Sequence, residues 1–189
     1  MKQLVLAFAL SLLPQISASQ SGSYCGTAGQ PVPQTLGTSI FGDWTISHHA
    51  GFVQTAGMIL PYPPTADDQM VIIPGPDNTI TLMSPDISDF VTLTPTTEPP
   101  WQFRNDQPNS AGVNPVLTDQ DISALVGCNA NSLPRLIGHG TFNIQGTGTM
   151  DMTVRLIVLN DSSMFGILEF TGSAQGYSFM SRRSVAMTK

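Results

Sequence analysis

The chain has 189 residues, of which 41% are hydrophobic and 11% charged, with 7 Lys and Arg against 13 Asp and Glu for a formal net charge of −6. This sparse acidic charge disfavours nucleic acid and anionic membrane as partners, because both reward clustered Lys and Arg. The 17 glycines and 15 prolines punctuate short alternating segments and helical periodicity is scarce, which excludes an all-helical protein and puts the chain in the mainly β class.

The chain opens with Met1-Lys2, an apolar run from Leu4 to Leu13, and Ser17-Ala18-Ser19. A positive tip, an apolar stretch and small residues form a secretory signal, here assigned to 1–19, against the competing reading of a buried N-terminal strand. The run is shorter than the roughly 20 residues a bilayer span requires. Cys25 lies past the cleavage point and follows Tyr24 instead of a small residue, which argues against a lipid-anchored cysteine. The expectation is a soluble exported protein, periplasmic or extracellular. Removing the signal takes out Lys2 and leaves 6 basic against 13 acidic residues, a net of −7. About 170 residues then remain, enough for one domain with a sizeable core.

Cys25 and Cys128 are the two cysteines, and an even pair in an oxidising compartment is expected to form a disulfide, with two free thiols as the alternative. Such a bridge ties the extended arm over 20–39, punctuated by Pro and Gly from Gln30 to Gly37, to the middle of the chain. A single antiparallel β domain over 40–189 follows. Its first strand, Ile40 to His48, contains Gly42-Asp43-Trp44.

Gly42-Asp43-Trp44 near the start of an exported β-rich chain resembles the first-strand G-x-W of lipocalins and the wider calycin barrels. The resemblance implies an up-and-down barrel in which the tryptophan closes one end and a last-strand arginine packs across it. Gly42, Trp44 and either Arg182 or Arg183 would be the closing set. The middle of the chain carries no T-D-Y-type motif, and the resemblance rests on these two short stretches at the ends.

A second strand is expected from Gly51 to Leu60, ended by Pro61-Tyr62-Pro63-Pro64, because proline cannot donate to a ladder. Gln69 to Ile73 and Thr79 to Met83 form a hairpin around Pro74-Gly75-Pro76-Asp77-Asn78, and Phe90 to Leu93 continues the sheet. Pro95 to Pro115 is a long excursion over the surface or a barrel mouth, its aromatic content in Trp101 and Phe103. One short helix over 118–126 follows, capped by Thr118, favoured at its N-terminus by Asp119 and Asp121, and ended by Gly127. From Leu136 to Met187 the pattern is a meander of alternating strands. His139 to Gln145 turns through Gly146-Thr147-Gly148 into a strand with Met150, Met152, Val154, Leu156 and Val158 on one face. Asn160-Asp161-Ser162-Ser163 leads to Met164 to Thr171, and Gly172 to Gly176 leads to Tyr177 to Met187. The fold class is a mainly β antiparallel up-and-down barrel or curved β-sandwich of about 8–10 strands with one short helix.

Chemistry is sparse. G-x-S-x-G, H-E-x-x-H, G-x-x-x-x-G-K and metal-spaced cysteines are all missing from the sequence, which lowers the expectation of catalysis without excluding it, and no cofactor is expected. His48 and His49 are adjacent and point to opposite faces of a strand, which weighs against a metal site built from them with Asp43, Asp67, Asp68 or His139. Asp151, Arg155 and Glu169 are expected to form a cross-strand ion pair. Methionines adapt to irregular shapes and either line a cavity or fill a core. The leading functional expectation is non-catalytic binding of a small, mainly apolar ligand inside the barrel, lined by Trp44, Met58, Met150, Met152, Leu156 and Phe179. The alternative is a cell-envelope interaction or structural protein with a filled core and a partner surface around Tyr62, Trp101 and Phe103. An enzyme acting on an exported substrate is third.

Overall fold

A computed structural model describes residues 24–31, 36–84, 90–103, 117–144, 148–174 and 176–189. The signal at 1–19, part of the arm, the Gly146-Thr147 turn and most of the excursion after 103 lie outside the described residues. The strands are β1 (Gly42–Thr55), β2 (Met58–Tyr62), β3 (Asp68–Pro74), β4 (Ile80–Met83), β5 (Phe90–Pro95), β6 (Arg135–Ile144), β7 (Gly148–Asn160), β8 (Ser163–Ala174) and β9 (Tyr177–Thr188), with α1 (Asp119–Val126) between β5 and β6.

Strand pairing follows chain order and β9 returns to β1, so the sheet closes as an antiparallel eight-stranded barrel. Nine segments fill eight positions because β2 and β3 share one edge of β1. Thr55↔Met58 to Gly51↔Tyr62 lies along one half of β1 and Ile46↔Asp68 to Gly42↔Ile72 along the other. Pro63 and Pro64 fall in the gap, where the ladder has no donor to lose. This is the up-and-down barrel that Gly42-Asp43-Trp44 led one to expect.

One boundary differs from the sequence reading. His48-His49-Ala50 is a bulge inside one long strand and not a break between two strands, since pairing with β9 shifts register between His48 and Gly51. The chain instead reverses at Ala56-Gly57, whose φ values of 48° and 76° are those of a tight turn. At the bulge β1 and β9 come so close that a Cβ on Gly51 would sit 2.1 Å from the Arg182 carbonyl oxygen. Only glycine fits there.

The period-2 alternation puts Trp44 and Ile46, Ile72, Ile80 and Leu82, Val91 and Leu93, Leu136, Val154 to Val158 in alternate steps, Met164 and Leu168, and Val185 and Met187 into the interior, all buried. Outward-facing Ile157, Phe165 and Ile167 are buried too, because the segment after β5 crosses β7 and β8 on the outside with Phe103 packed beneath it. Arg155 Nε donates to Glu98 Oε2 at 3.0 Å and Arg182 Nη2 donates to the Gln102 carbonyl at 2.9 Å, fastening that segment. The expected pairing among Asp151, Arg155 and Glu169 does not occur. The register sets Arg155 opposite Ile167 and gives Glu169 to Thr153, while Asp151 accepts from Thr141 at 2.7 Å. Arg135, buried, donates to the carbonyls of Glu98, Ala130, Asn131 and Leu133, and this burial lowers its pKa.

One barrel end is closed by these extra segments. Thr118 and Asp121 cap α1 reciprocally and Gly127 ends it in the left-handed conformation. The Thr118 hydroxyl, followed by its backbone N–H, holds the Asp121 carboxyl below its ordinary pKa. The expected Cys25–Cys128 disulfide follows directly, with Cα atoms 6.1 Å apart. It fixes the N-terminal arm, where Gly26 and Thr27 N–H groups donate to the Ser132 carbonyl at 2.9 and 3.0 Å. Tyr24 donates to Asp161 in the β7–β8 turn.

Candidate functional site

The opposite half of the barrel interior is not filled. A cavity of about 340 Å³ lies there. Ile46, Val154 and Leu168 border it towards the packed core, and Met70, Leu82, Val91, Phe142, Met150, Met152 and Phe170 form its walls. His48, Asp68 and Ser84 supply the polar groups. Each comes from a position whose parity is set by strand register: Trp44, Ile46 and His48 share the inward face of β1, and Ile46 faces Asp68 across the β1–β3 ladder. The site is thus a continuation of the core pattern with the filling left out.

The polar pole is specific. His48 Nε2 lies 2.8 Å from Asp68 Oδ2, and the two side chains are 9% and 66% exposed. Asp68 therefore stands at the watery rim while the imidazole is inside. An ionised carboxylate only accepts, so Nε2 carries the hydrogen, and in the neutral ring Nδ1 then presents a lone pair. That Nδ1 is buried and has no hydrogen-bond partner among the described residues.

Beside this pole, Arg183 points inward from β9, opposite Gly51 and Leu168. Its guanidinium carbon stacks 3.7 Å from the Tyr62 ring centroid, a cation–π contact, and its Nη1 donates to Thr65 Oγ1 at 2.7 Å. Burial lowers its pKa, offset in part by Tyr62 and Asp68. Arg183 pins the strand interruption after β2 to the barrel wall.

The residues singled out from sequence are distributed unevenly. Met150 and Met152 line the cavity; Trp44 and Leu156 belong to the packed half; Met58 is 55% exposed on the β1–β2 hairpin; Phe179 is half-buried at the start of β9. Trp44 donates from Nε1 to the Ile40 carbonyl at 2.8 Å. The cation above it is Lys189, 5.8 Å from the ring, and neither Arg182 nor Arg183 reaches it. Lys189 Nζ donates to the Ser39 and Phe41 carbonyls and its stem lies 3.7 Å from where a Gly42 Cβ would be. Gly42 has φ of 116°, which a residue with a side chain rarely adopts. Tyr62, Trp101 and Phe103 are not gathered into one surface: Tyr62 lies under Arg183, Trp101 is 59% exposed and Phe103 is fully buried.

His139 faces out, 3.1 Å from Thr153, and among the described residues no group of three or more His, Cys, Asp or Glu is placed to hold a metal ion. No helix among them is long and apolar enough to cross a membrane. The sequence reading missed His48 and Asp68 as cavity residues. The inward parity of His48 with Trp44 was a usable signal; Asp68 needed the β1–β3 register. The chain matches no protein-family model and no curated protein.

Proposed function

We propose that the protein is an exported, non-catalytic binder of a small, mainly apolar molecule held inside the barrel. One observation carries this reading, the 340 Å³ cavity with apolar walls and a few convergent polar groups, a size and character typical of ligand sites. At about 30 Å³ for a water-sized group, it has room for roughly ten non-hydrogen atoms. Affinity comes from taking apolar surface out of water, at about 25 cal/mol per Å² before the costs of association. Export is supported by the signal pattern of 1–19 and by the Cys25–Cys128 disulfide, a bond that persists in oxidising compartments.

Met152→Trp tests the site. Met152 is half-buried on the cavity wall, so the indole is expected to occupy the space, keep the fold by circular dichroism, and abolish the small-molecule adduct seen by native mass spectrometry of protein from its exporting host. An adduct retained at wild-type level in the folded variant would sink the assignment.

A further inference from the structure

We infer that the molecule in this cavity carries an uncharged hydrogen-bond donor, of the hydroxyl class, at one end, and that His48 Nδ1 accepts from it; this rests on the binding reading above. A buried polar atom without a partner is costly, because it has lost water and gained nothing in return, and such atoms are rare in folded proteins. Among the described residues His48 Nδ1 is such an atom, on a side chain only 9% exposed and in the wall of the cavity. With the hydrogen of Nε2 given to Asp68 at 2.8 Å, Nδ1 of the neutral ring is an acceptor, and what completes it there must donate.

Charge selects among donors. Asp68 holds a negative charge on the far edge of the same ring. Arg183, inward on β9, spends Nη1 on Thr65 and lies over the Tyr62 ring; its Nε has no hydrogen-bond partner among the described residues, but Arg183 is not among the residues that line the cavity. A carboxylate head would approach a lone pair backed by another carboxylate, which repels it. A hydroxyl meets no such barrier. The geometry also orients the molecule. Its head lies near the rim with His48 and Asp68, and its apolar body extends past Met70, Met152 and Phe170 towards Ile46 and Val154.

The test uses three probes of matched length, 1-nonanol, its methyl ether and nonanoate, titrated at pH 8, where an ordinary imidazole is neutral. Binding is read from the ¹³C-methyl signals of Met70, Met150 and Met152, which report cavity occupancy whatever the head group. Nonanol is expected to bind about fivefold to tenfold more tightly than the ether, the scale of one net neutral hydrogen bond, and more tightly than nonanoate. His48→Phe, which keeps a ring and removes the acceptor, is expected to erase the alcohol's advantage while the ether still binds. The His48 Nδ1 ¹⁵N shift is expected to move with nonanol and not with the ether. Equal binding of alcohol and ether, or a preference for nonanoate, overturns the head-group assignment while leaving the apolar cavity in place. Failure of all three probes to shift any methionine signal overturns both readings.

Discussion

The two ends of the barrel are built from the same alternating strands and differ in what was added to them. At the closed end, Trp44 is buried under Lys189 and Ile40, and α1, the disulfide and the N-terminal arm seal the strands. At the other end the inward positions carry methionine, phenylalanine, histidine and aspartate, and they enclose space. An eight-stranded barrel is just wide enough either to fill itself or to hold one small molecule, and in this chain one half is filled while the other encloses a cavity. Stability is concentrated where the interior is full, and room for a ligand lies where it is not.

The largest effect is expected from cutting the closed end loose. The disulfide spans a sequence separation of 103, and in the chain-entropy model a closure of that length stabilises by roughly 4 to 5 kcal/mol. Replacing both cysteines with serine should lower urea stability by that order while the Met150 and Met152 methyl spectrum of the folded fraction stays unchanged. A simultaneous loss of the cavity signature would show that the two ends are not separable.

Single truncations at the two ends sharpen the contrast. Trp44→Ala removes the largest side chain of the packed half, 1% exposed, and should cost about 3–5 kcal/mol in chemical denaturation. Met150→Ala removes a half-buried wall of space that is already open and should cost about 1 kcal/mol, below the usual range for buried methionine because little new void is created. Equal costs would mean that the cavity collapses around its walls and is not a stable feature of the fold.

The sequence carried the closed end better than the open one. Gly42-Asp43-Trp44 announced the barrel, the cysteine pair the bridge, and Thr118 with Gly127 the helix caps, each a local signal with a local mechanism. Arg182 and Arg183 were legible as last-strand cations but not by partner. Arg183 faces in because it alternates with Val185 and Met187 along β9, whose pairing with β8 is unbroken; its stacking on Tyr62 depends on the path of the chain after β2, which leaves no mark in composition. The last-strand resemblance therefore pointed to arginine where Lys189 does the work. The cavity was half legible: Met150 and Met152 follow from alternation in β7, Phe142 faces Met150 across the adjacent β6–β7 hairpin, and His48 shares the parity of Trp44, whereas Asp68 joins them only through the β1–β3 register. Met58 was misread because the expected strand ran through the Ala56-Gly57 turn, which carries Met58 onto an exposed hairpin.

The smallest effect should appear only in alkali, and again at the closed end. Burial, then donation to the Asp161 carboxylate, pushes the Tyr24 phenol from its ordinary 10 up to about 12. Below pH 10 the phenol is protonated in both folded and unfolded chains, so its contribution is fully present. Between pH 10 and 12 the unfolded chain releases this proton while the folded chain keeps it, and linkage makes stability fall with rising pH. Water reaching the site screens the effect below what the whole shift implies. Tyr24→Phe is expected to cost about 1 kcal/mol near neutral pH, where Asp161 loses its donor, and then to converge on the wild type as pH climbs through that window. Melting temperatures at pH 8, 10 and 11.5 check this. Parallel curves for the two proteins would mean that the arm has lifted off the β7–β8 turn before Tyr24 titrates, and that the seal at this end is held by the disulfide and α1 without it.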